Sequence, residues 1–436
     1  MVIGGEPAYG REPSYREKPM VVNSRRALVG DVGGTNTRFA VVDLDDMTIS
    51  HFASFRCAMF ASLSAAIKAY LATIPHRPPL ASIAIAGPVS REVSHLTNLS
   101  WSFTMDELRS ATEATHVQLI NDFEALALSL PHLHPDDLHK IGGGEPVEEA
   151  AKGVLGPGTG LGVAGLIGSA SGWVSMPSEG GHISFAVEDS EELAILDHMM
   201  QDNGHVSCER LISGPGLVRA YQALAETGGA TVGLRSAAEI VDHALARSDP
   251  FAEEALGYFV RWLGRFAGDV ALVLGARGGI YLGGGIAPKI LDALTTGAFR
   301  TAFQSKGRLS SYLAPIPVYV IKAADAGLRG AAVALSANVS QHLADSPGEC
   351  LVYRRPRSLG PASGGPCGLA WTGTLNWHSV PSREFDQLTE PQSALRDERE
   401  TSQTTKTAGC KDSQHPRNPR IKVLHAVLAK YSDGHA

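Results

Sequence analysis

Cysteine is scarce in this 436-residue chain: five residues, Cys57, Cys208, Cys350, Cys367 and Cys410, lie far apart and never form a CxxC pair. An odd number at such spacing suits neither a disulfide framework nor a structural zinc site, and reads as reduced, structural thiols. A long apolar run is missing too. The best stretch, Val270 to Ile286, is broken by Arg277 and several glycines, short of the roughly 18 uncharged apolar residues that a membrane span needs. The first residues, with Glu6, Arg11, Glu12, Arg16, Glu17 and Lys18 among prolines and glycines, lack the apolar middle of a secretory signal. The expected location is the cytoplasm. No basic excess exists: 45 Asp and Glu against 38 Lys and Arg leave a net charge of −7, which offers no footprint for nucleic acid or an anionic membrane.

What is present is a 44% hydrophobic content, that of a soluble globular protein long enough for two or three domains. Composition marks a polar arm over 1–23, a patterned stretch to about Asn338, and a tail over 339–436 that reads as disordered, with one short helix at Ile421–Tyr431. Trp371 and Trp377 in that tail are poor in apolar neighbours. Within the patterned stretch, strand-like runs (Ala27–Val29, Arg38–Leu44, Ala81–Ala86, Val117–Ile120, Val163–Ile167, Gly279–Leu282, Pro317–Ile321) alternate with helical patterns at Met105–Thr112, Phe123–Leu130 and Ala252–Leu274. The fold class is therefore α/β.

Three glycine clusters carry the clearest chemical signal. In Gly30-Asp31-Val32-Gly33-Gly34-Thr35-Asn36 the glycines predict a tight strand–turn–strand whose N–H groups can approach an anion. Asp31 just before it would repel phosphate unless a cation stood between them, so it is a candidate for positioning Mg²⁺. The second cluster, Gly156-Pro157-Gly158-Thr159-Gly160-Leu161-Gly162, contains a chance GxGxxG at Gly160, Gly162 and Gly165, but the sequence continues as a strand rather than the helix a dinucleotide site requires. The P-loop motif, GxxxxGK followed by Ser or Thr, is absent. The third, Gly283-Gly284-Gly285, ends a strand before a helical Ala287–Leu294, where a flat ligand can lie on bare backbone. Taken singly, each is more often a hairpin or a close-packing site.

Polar residues cluster as well. Asn121 and Asp122 lie where a strand meets a helix; a simple capping role for Asp122 is the bland alternative. Glu179 and His182, three residues apart across two glycines, can aim at one small polar ligand, and Glu209, read alone, would pair with a nearby cation.

Together these segments resemble the bacterial glucokinase family, ATP-dependent hexose kinases of the actin-like sugar-kinase superfamily. The resemblance runs from about Arg26 to Asn338. It rests on Gly30-Asp-Val-Gly-Gly-Thr-Asn36 with Arg38, Ala86-Gly-Pro88, Thr97-Asn98, Ile120-Asn-Asp-Phe123, Gly156-Pro-Gly-Thr-Gly160, Glu179-Gly-Gly-His182, Glu209-Arg-Leu211, Ser213-Gly-Pro-Gly216 and Gly283-Gly-Gly285. It implies a two-lobed actin-like ATPase (ribonuclease H-like) fold with an interdomain cleft. The lobes would be a small α/β domain over 24–132 and a large one over 133–321, with 322–338 returning to the small domain. By matching position, Asp122 would be the catalytic base, and Asn98, Asn121, Asp122, Glu179, His182 and Glu209 would bind glucose. Gly30, Asp31, Gly33, Gly34, Thr35, Asn36, Gly158, Thr159, Gly160, Gly283, Gly284 and Gly285 would hold ATP, with Asp31 on Mg²⁺. The cysteine-rich zinc motif that the related repressor and kinase branch carries after its Glu-x-Gly-His element does not follow His182, which points to the zinc-free branch. The tail has no counterpart in the family.

The implied reaction is γ-phosphoryl transfer from ATP to the 6-hydroxyl of glucose, the first step of glycolysis, by a homodimer without nucleic-acid or membrane partners. A kinase for mannose or fructose is the nearest alternative. A sugar-responsive transcriptional regulator would need a DNA-reading module that the short, proline-rich segment before the first strand does not supply.

Overall fold

The run from Ala27 to Gly30 carries no polar side chain, and such continuity marks a strand covered on both sides. In the structure, a computed structural model describing residues 25–87, 89–90, 93–96, 101–170, 172–200 and 204–345, it lies at the centre of a sheet. The arm over 1–23, Asn98, and everything beyond 345 lie outside the described residues. That excludes Cys350, Cys367, Cys410, Trp371, Trp377 and the helix expected at Ile421–Tyr431.

In chain order the strands are β1 (Arg26–Val32), β2 (Asn36–Asp43), β3 (Ile49–Arg56), β4 (Leu80–Ile85), β5 (Ser94–His95), β6 (Ser102–Phe103), β7 (His116–Asn121), β8 (Leu138–Gly142), β9 (Lys152–Pro157), β10 (Leu161–Ser169), β11 (Gly172–Ser178), β12 (Ile280–Leu282) and β13 (Val318–Ile321). The helices are α1 (Leu63–Leu71), α2 (Met105–Thr112), α3 (Asp122–Ser129), α4 (Ser190–Met200), α5 (Cys208–Leu211), α6 (Gly214–Thr227), α7 (Ala237–Leu245), α8 (Pro250–Leu274), α9 (Leu291–Thr295), α10 (Ala298–Gln304), α11 (Ser310–Leu313) and α12 (Ala326–Asp345).

Two sheets repeat one pattern. The first has the order β3-β2-β1-β4-β7 and the second β11-β10-β9-β12-β13-β8. In each, three strands form an antiparallel meander and two more add in parallel, and the second sheet gains a sixth strand, β8, antiparallel to β13. The turns β1–β2 and β9–β10, which hold the first two glycine clusters, thus occupy equivalent places in the two sheets. Both faces of the first sheet are covered. Leu28 and Val32 pack with Ile67, Tyr70 and Leu108 on one side, Ala27 and Val29 with Leu328, Ala331 and Leu335 on the other.

The second sheet packs on α8, whose start and stop are written locally. Asp249 caps it by accepting from the N–H groups of Phe251 and Ala252, Pro250 fills its first turn, and Gly275 ends it at φ 59°. The opposite face meets α3: Ala127 and Leu130 pack with Val154, Ala164, Leu166 and Tyr281. α3 also touches α12 so closely that a side chain at Gly330 would collide with the Ala125 carbonyl. The helix expected over Ala287–Leu294 is divided into a 3₁₀ turn, Ala287–Ile290, and α9. The chain tightens straight out of the glycine turn, with the Lys289 N–H bonded back to the Ile286 carbonyl at 2.9 Å.

Candidate active site

The β1–β2 turn is tied down from beneath. The Gly33 N–H donates to the Asn36 carbonyl at 3.0 Å, and the Cys57 N–H to the Thr35 carbonyl at 2.9 Å. The buried Cys57 thiol reaches the Gly33 carbonyl at 3.4 Å, and burial pushes its pKa up, so it stays a neutral prop. Asp31 accepts from Arg38 at 2.9 Å, its direct neighbour across the hairpin. Gly327, in the first turn of α12, comes so near that an added Cβ would sit 3.0 Å from the Asp31 carboxyl carbon. Gly34 is half-buried and Thr35 and Asn36 are exposed. Gly30 differs: it is buried in the strand, where a Cβ would meet Ile83 and Phe39, so its local role is packing.

The second and third glycine clusters meet each other. Gly156 lies against the Gly283 backbone, and Gly284, at φ 77°, lies against the Pro157 carbonyl, contacts that admit no side chain. Gly283 also receives Leu126 of α3. Gly158 bonds through its N–H to the Gly160 carbonyl at 2.8 Å, and its own carbonyl accepts from Gly214, at the start of α6, at 2.9 Å. Thr159 is exposed, and the space beside Gly158 and Gly285 is open. No helix follows this turn; β10 does, which removes the dinucleotide reading.

At the β7–α3 junction the cap is Asn121. Its Oδ1 accepts from the N–H groups of Phe123 and Glu124 at 2.9 and 3.1 Å, and its Nδ2 donates to the Gly87 carbonyl at 3.2 Å. That answers the capping alternative: Asn121 performs it, and the Asp122 carboxylate accepts from the Phe123 N–H at 3.0 Å. A ligand at Asn121 would find a side chain largely committed to backbone.

Glu179, His182 and Glu209 converge because a short ladder joins their segments. The Phe185 N–H donates to the Val206 carbonyl at 3.1 Å and the Cys208 N–H to the Ile183 carbonyl at 2.9 Å. His182 Nε2 then lies 3.9 Å from both Glu179 Oε2 and Glu209 Oε1. Glu179 and His182 are open to solvent, while Glu209 is half-buried and accepts from the Leu161 N–H at 2.8 Å. Asp122 lies within electrostatic reach of Asp31 and Glu179. Burial raises its pKa to about 7, and the negative charges of Asp31 and Glu179 push in the same direction. One carboxyl therefore feels both Asp31 at the first glycine turn and Glu179.

Some contacts were not anticipated from sequence. The Asp31–Arg38 pair follows from the symmetry of the turn, which sets those positions opposite each other, so the signal was there. The approach of Gly327 to Asp31, the packing of Phe123 on Gly162, and the bond from the Ser175 hydroxyl to Glu124 at 3.0 Å join remote segments and leave no local mark.

With this geometry in hand, comparison with known proteins is specific. The family model for glucokinase matches residues 28–338. The glucokinase of Tolumonas auensis is 40% identical over 307 residues, covering 70% of this chain and 96% of its own length. That of Chromohalobacter salexigens is 42% identical over 313 residues, covering 72% and 98%. Among solved structures, a glucokinase from an Antarctic psychrotroph superposes with a TM-score of 0.62 at 37% identity, over 71% of this chain and 98% of its own. A glucokinase from Balamuthia mandrillaris in complex with glucose gives 0.62 at 22% identity, over 72% and 94%, a likeness of fold. The two-lobed actin-like architecture of these neighbours is the one found here.

Proposed function

The chain belongs to the glucokinase family, and from that premise we propose that it transfers the γ-phosphoryl group of ATP to the 6-hydroxyl of glucose with Asp122 as the general base. It is an ATP-dependent phosphotransferase with an alcohol acceptor. The observation that carries the assignment of the base is the raised pKa of Asp122, about 7, beside both Asp31 and Glu179: a carboxyl poised near neutrality accepts a proton well and is ionised often enough to do so.

Phosphoryl transfer asks little covalent work of a protein. Asp122 takes the hydroxyl proton as the oxygen approaches phosphorus in line. Glu179, His182 and Glu209 hold the other hydroxyls, with Asn121 and Asn98 as further contacts. Each hydroxyl that is missing or inverted leaves a polar group unpaired, at about 1–3 kcal/mol. The turns at Gly33–Asn36 and Gly158–Gly160 would line the phosphates through backbone other than the Gly33 and Gly158 N–H groups, which are spent inside the turns, and Gly283–Gly285 would lie under the nucleoside. Lobes over 24–132 and 133–321, joined again by 322–338, would close on glucose and keep water from the γ-phosphate.

Mg²⁺ fits this reading. Asp31 offers a hard carboxylate oxygen beside the phosphate turn, with Arg38 on its Oδ2 and part of its surface open, which suits an ion that keeps most of its own waters. When bound, the ion supplies charge neutralisation at the phosphates. Homodimeric assembly and a cytoplasmic site of action complete the proposal, to be checked by sedimentation and by fractionation. The deciding experiment is a coupled steady-state assay with ATP, Mg²⁺ and a panel of glucose, mannose and fructose. Preference for glucose supports the reading, and preference for another hexose would replace the substrate assigned.

A further inference from the structure

Glu209 stands between the sugar side and the nucleotide side of the site, and its two oxygens face different ways. Oε2 accepts the Leu161 N–H at 2.8 Å, the first amide after the turn Gly158–Gly160. Oε1 lies 3.9 Å from His182 Nε2, itself 3.9 Å from Glu179. Gly160 is pressed against the same carboxylate, and a Cβ there would run into Oε2. The rest of the turn hangs on main-chain bonds, from the Gly158 N–H to the Gly160 carbonyl at 2.8 Å and from the Gly214 N–H to the Gly158 carbonyl at 2.9 Å. A charged acceptor makes a stronger and more directional bond than a neutral one, so the orientation of this carboxylate bears directly on the shape of the turn.

We infer that Glu209 couples sugar binding to nucleotide binding. A sugar hydroxyl seated on Oε1 fixes the carboxylate, and the fixed Oε2 holds the Leu161 amide, and with it Gly158–Gly160, in the form that meets the phosphates. The inference rests on the functional reading above and adds to Glu209's sugar contact the task of a positioning residue for the nucleotide turn. The coupling is reciprocal: the factor by which glucose tightens nucleotide binding equals the factor by which nucleotide tightens glucose binding.

Calorimetric titration of the full chain with glucose, with and without saturating AMPPNP and Mg²⁺, reads that factor. The wild-type protein should show about fivefold or more. In Gly160→Ala the new methyl displaces the flexible carboxylate from the Leu161 amide, and the factor should fall below about twofold. Glu209→Gln keeps an oxygen that can accept from Leu161. It should hold the factor within about twofold of wild type while binding glucose itself more weakly. A Gly160→Ala protein with the full factor, a Glu209→Gln protein that loses it as completely as Gly160→Ala, or a wild type with none would overturn the proposal. Should Gly160→Ala fold poorly, hydrogen exchange of the Leu161 amide in the wild type gives an independent readout: glucose alone should slow it, and an unchanged rate overturns the coupling. No glucose binding by the wild type at all would strike the functional reading instead, so the two failures are distinct.

Discussion

Replacing Asp122 by Asn separates the chemistry of this carboxyl from its effect on the fold. In the folded protein its pKa rises from 3.8 to about 7, chiefly by burial and further by the charges of Asp31 and Glu179. Below about pH 4 the group is protonated whether the chain is folded or not, and it costs nothing. Between about pH 4 and 7 the unfolded chain ionises while the folded one keeps its proton, so stability falls as pH rises, by about 1.4 kcal/mol per unit. Above about 7 both forms are ionised and the cost levels off at ~4 kcal/mol. Asp122 keeps some contact with solvent, so about half of that is the expected figure. Asn removes the cost and preserves the acceptor for the Phe123 N–H. Asp122→Asn should therefore be more stable than wild type by about 2 kcal/mol at pH 8 and nearly equal to it at pH 4, while turnover drops by about 10²–10⁴-fold. Glucose should still bind. Denaturant melts at the two pH values, calorimetry with glucose and a coupled assay measure all three. Wild-type turnover in the variant, or a stability difference independent of pH, would refute the reasoning.

Other perturbations test the surroundings. In the wild type, kcat/KM for glucose should fall about tenfold per pH unit below pH 7 as Asp122 takes up its proton, and a pH profile checks it. Asp31→Asn removes a charge that raises the pKa of Asp122, so in the metal-free protein that pKa should move down, as carboxyl infrared or NMR titration would show, while the requirement for Mg²⁺ becomes steeper. Gly162→Ala puts a methyl into the ring of Phe123, the residue after the base; a stability loss of about 1–3 kcal/mol should accompany a fall in kcat, read by melts and kinetics. Glu192→Gln strips the charge from a carboxylate that is 1% exposed and holds Arg265 at 2.5 and 2.9 Å. The guanidinium keeps Glu188 at 3.2 Å and the Ala186 carbonyl at 2.6 Å, so losing this one charged partner should cost about 1–3 kcal/mol, read from a denaturant melt.

Elements with a local signature were readable in advance. Met105–Thr112 is a helix with the expected bounds, because Thr104 and Glu107 form a capping box around an amphipathic turn. The Gly33–Asn36 turn was legible because its glycines sit between two apolar runs. β3, α1 and β11 were not. β3 and β11 are edge strands with exposed Phe52, Val174 and Met176, where side-chain alternation is weak, and α1 is anchored on β1 and β2 through contacts such as Tyr70 with Phe39. The repeat of the two sheets also escaped notice, since its halves share a backbone plan and a pair of glycine turns with little else in common. Among the candidate site residues, Asp122, Glu179 and His182 were marked by a strand end or flanking glycines, whereas Glu209 carried only a weak local signal and entered through the family resemblance. The Gly327 approach to Asp31 could not be seen, because it depends on α12 returning across the first sheet from about 300 residues away.

The same returning helix explains why the site sits where it does. α3 begins at the end of β7 in the first sheet, yet its body packs on the second, with Phe123 on Gly162 and Leu126 on Gly283. Its opposite side is gripped by α12, which covers the first sheet. A base at the first residue of α3 is thus referenced to both sheets at once: β7 sets its height, and β10 and the third glycine cluster set its rotation. Glycine at 162, 283 and 330 is what permits these approaches, since each contact closes onto space that a side chain would fill. A relative movement of the sheets would act on α3 through these contacts, and on Asp122 at its start. In the proposed reaction, closure and positioning of the base would then be one event rather than two, a physical reason for the proposed proton acceptor to lie on this helix rather than on a surface loop.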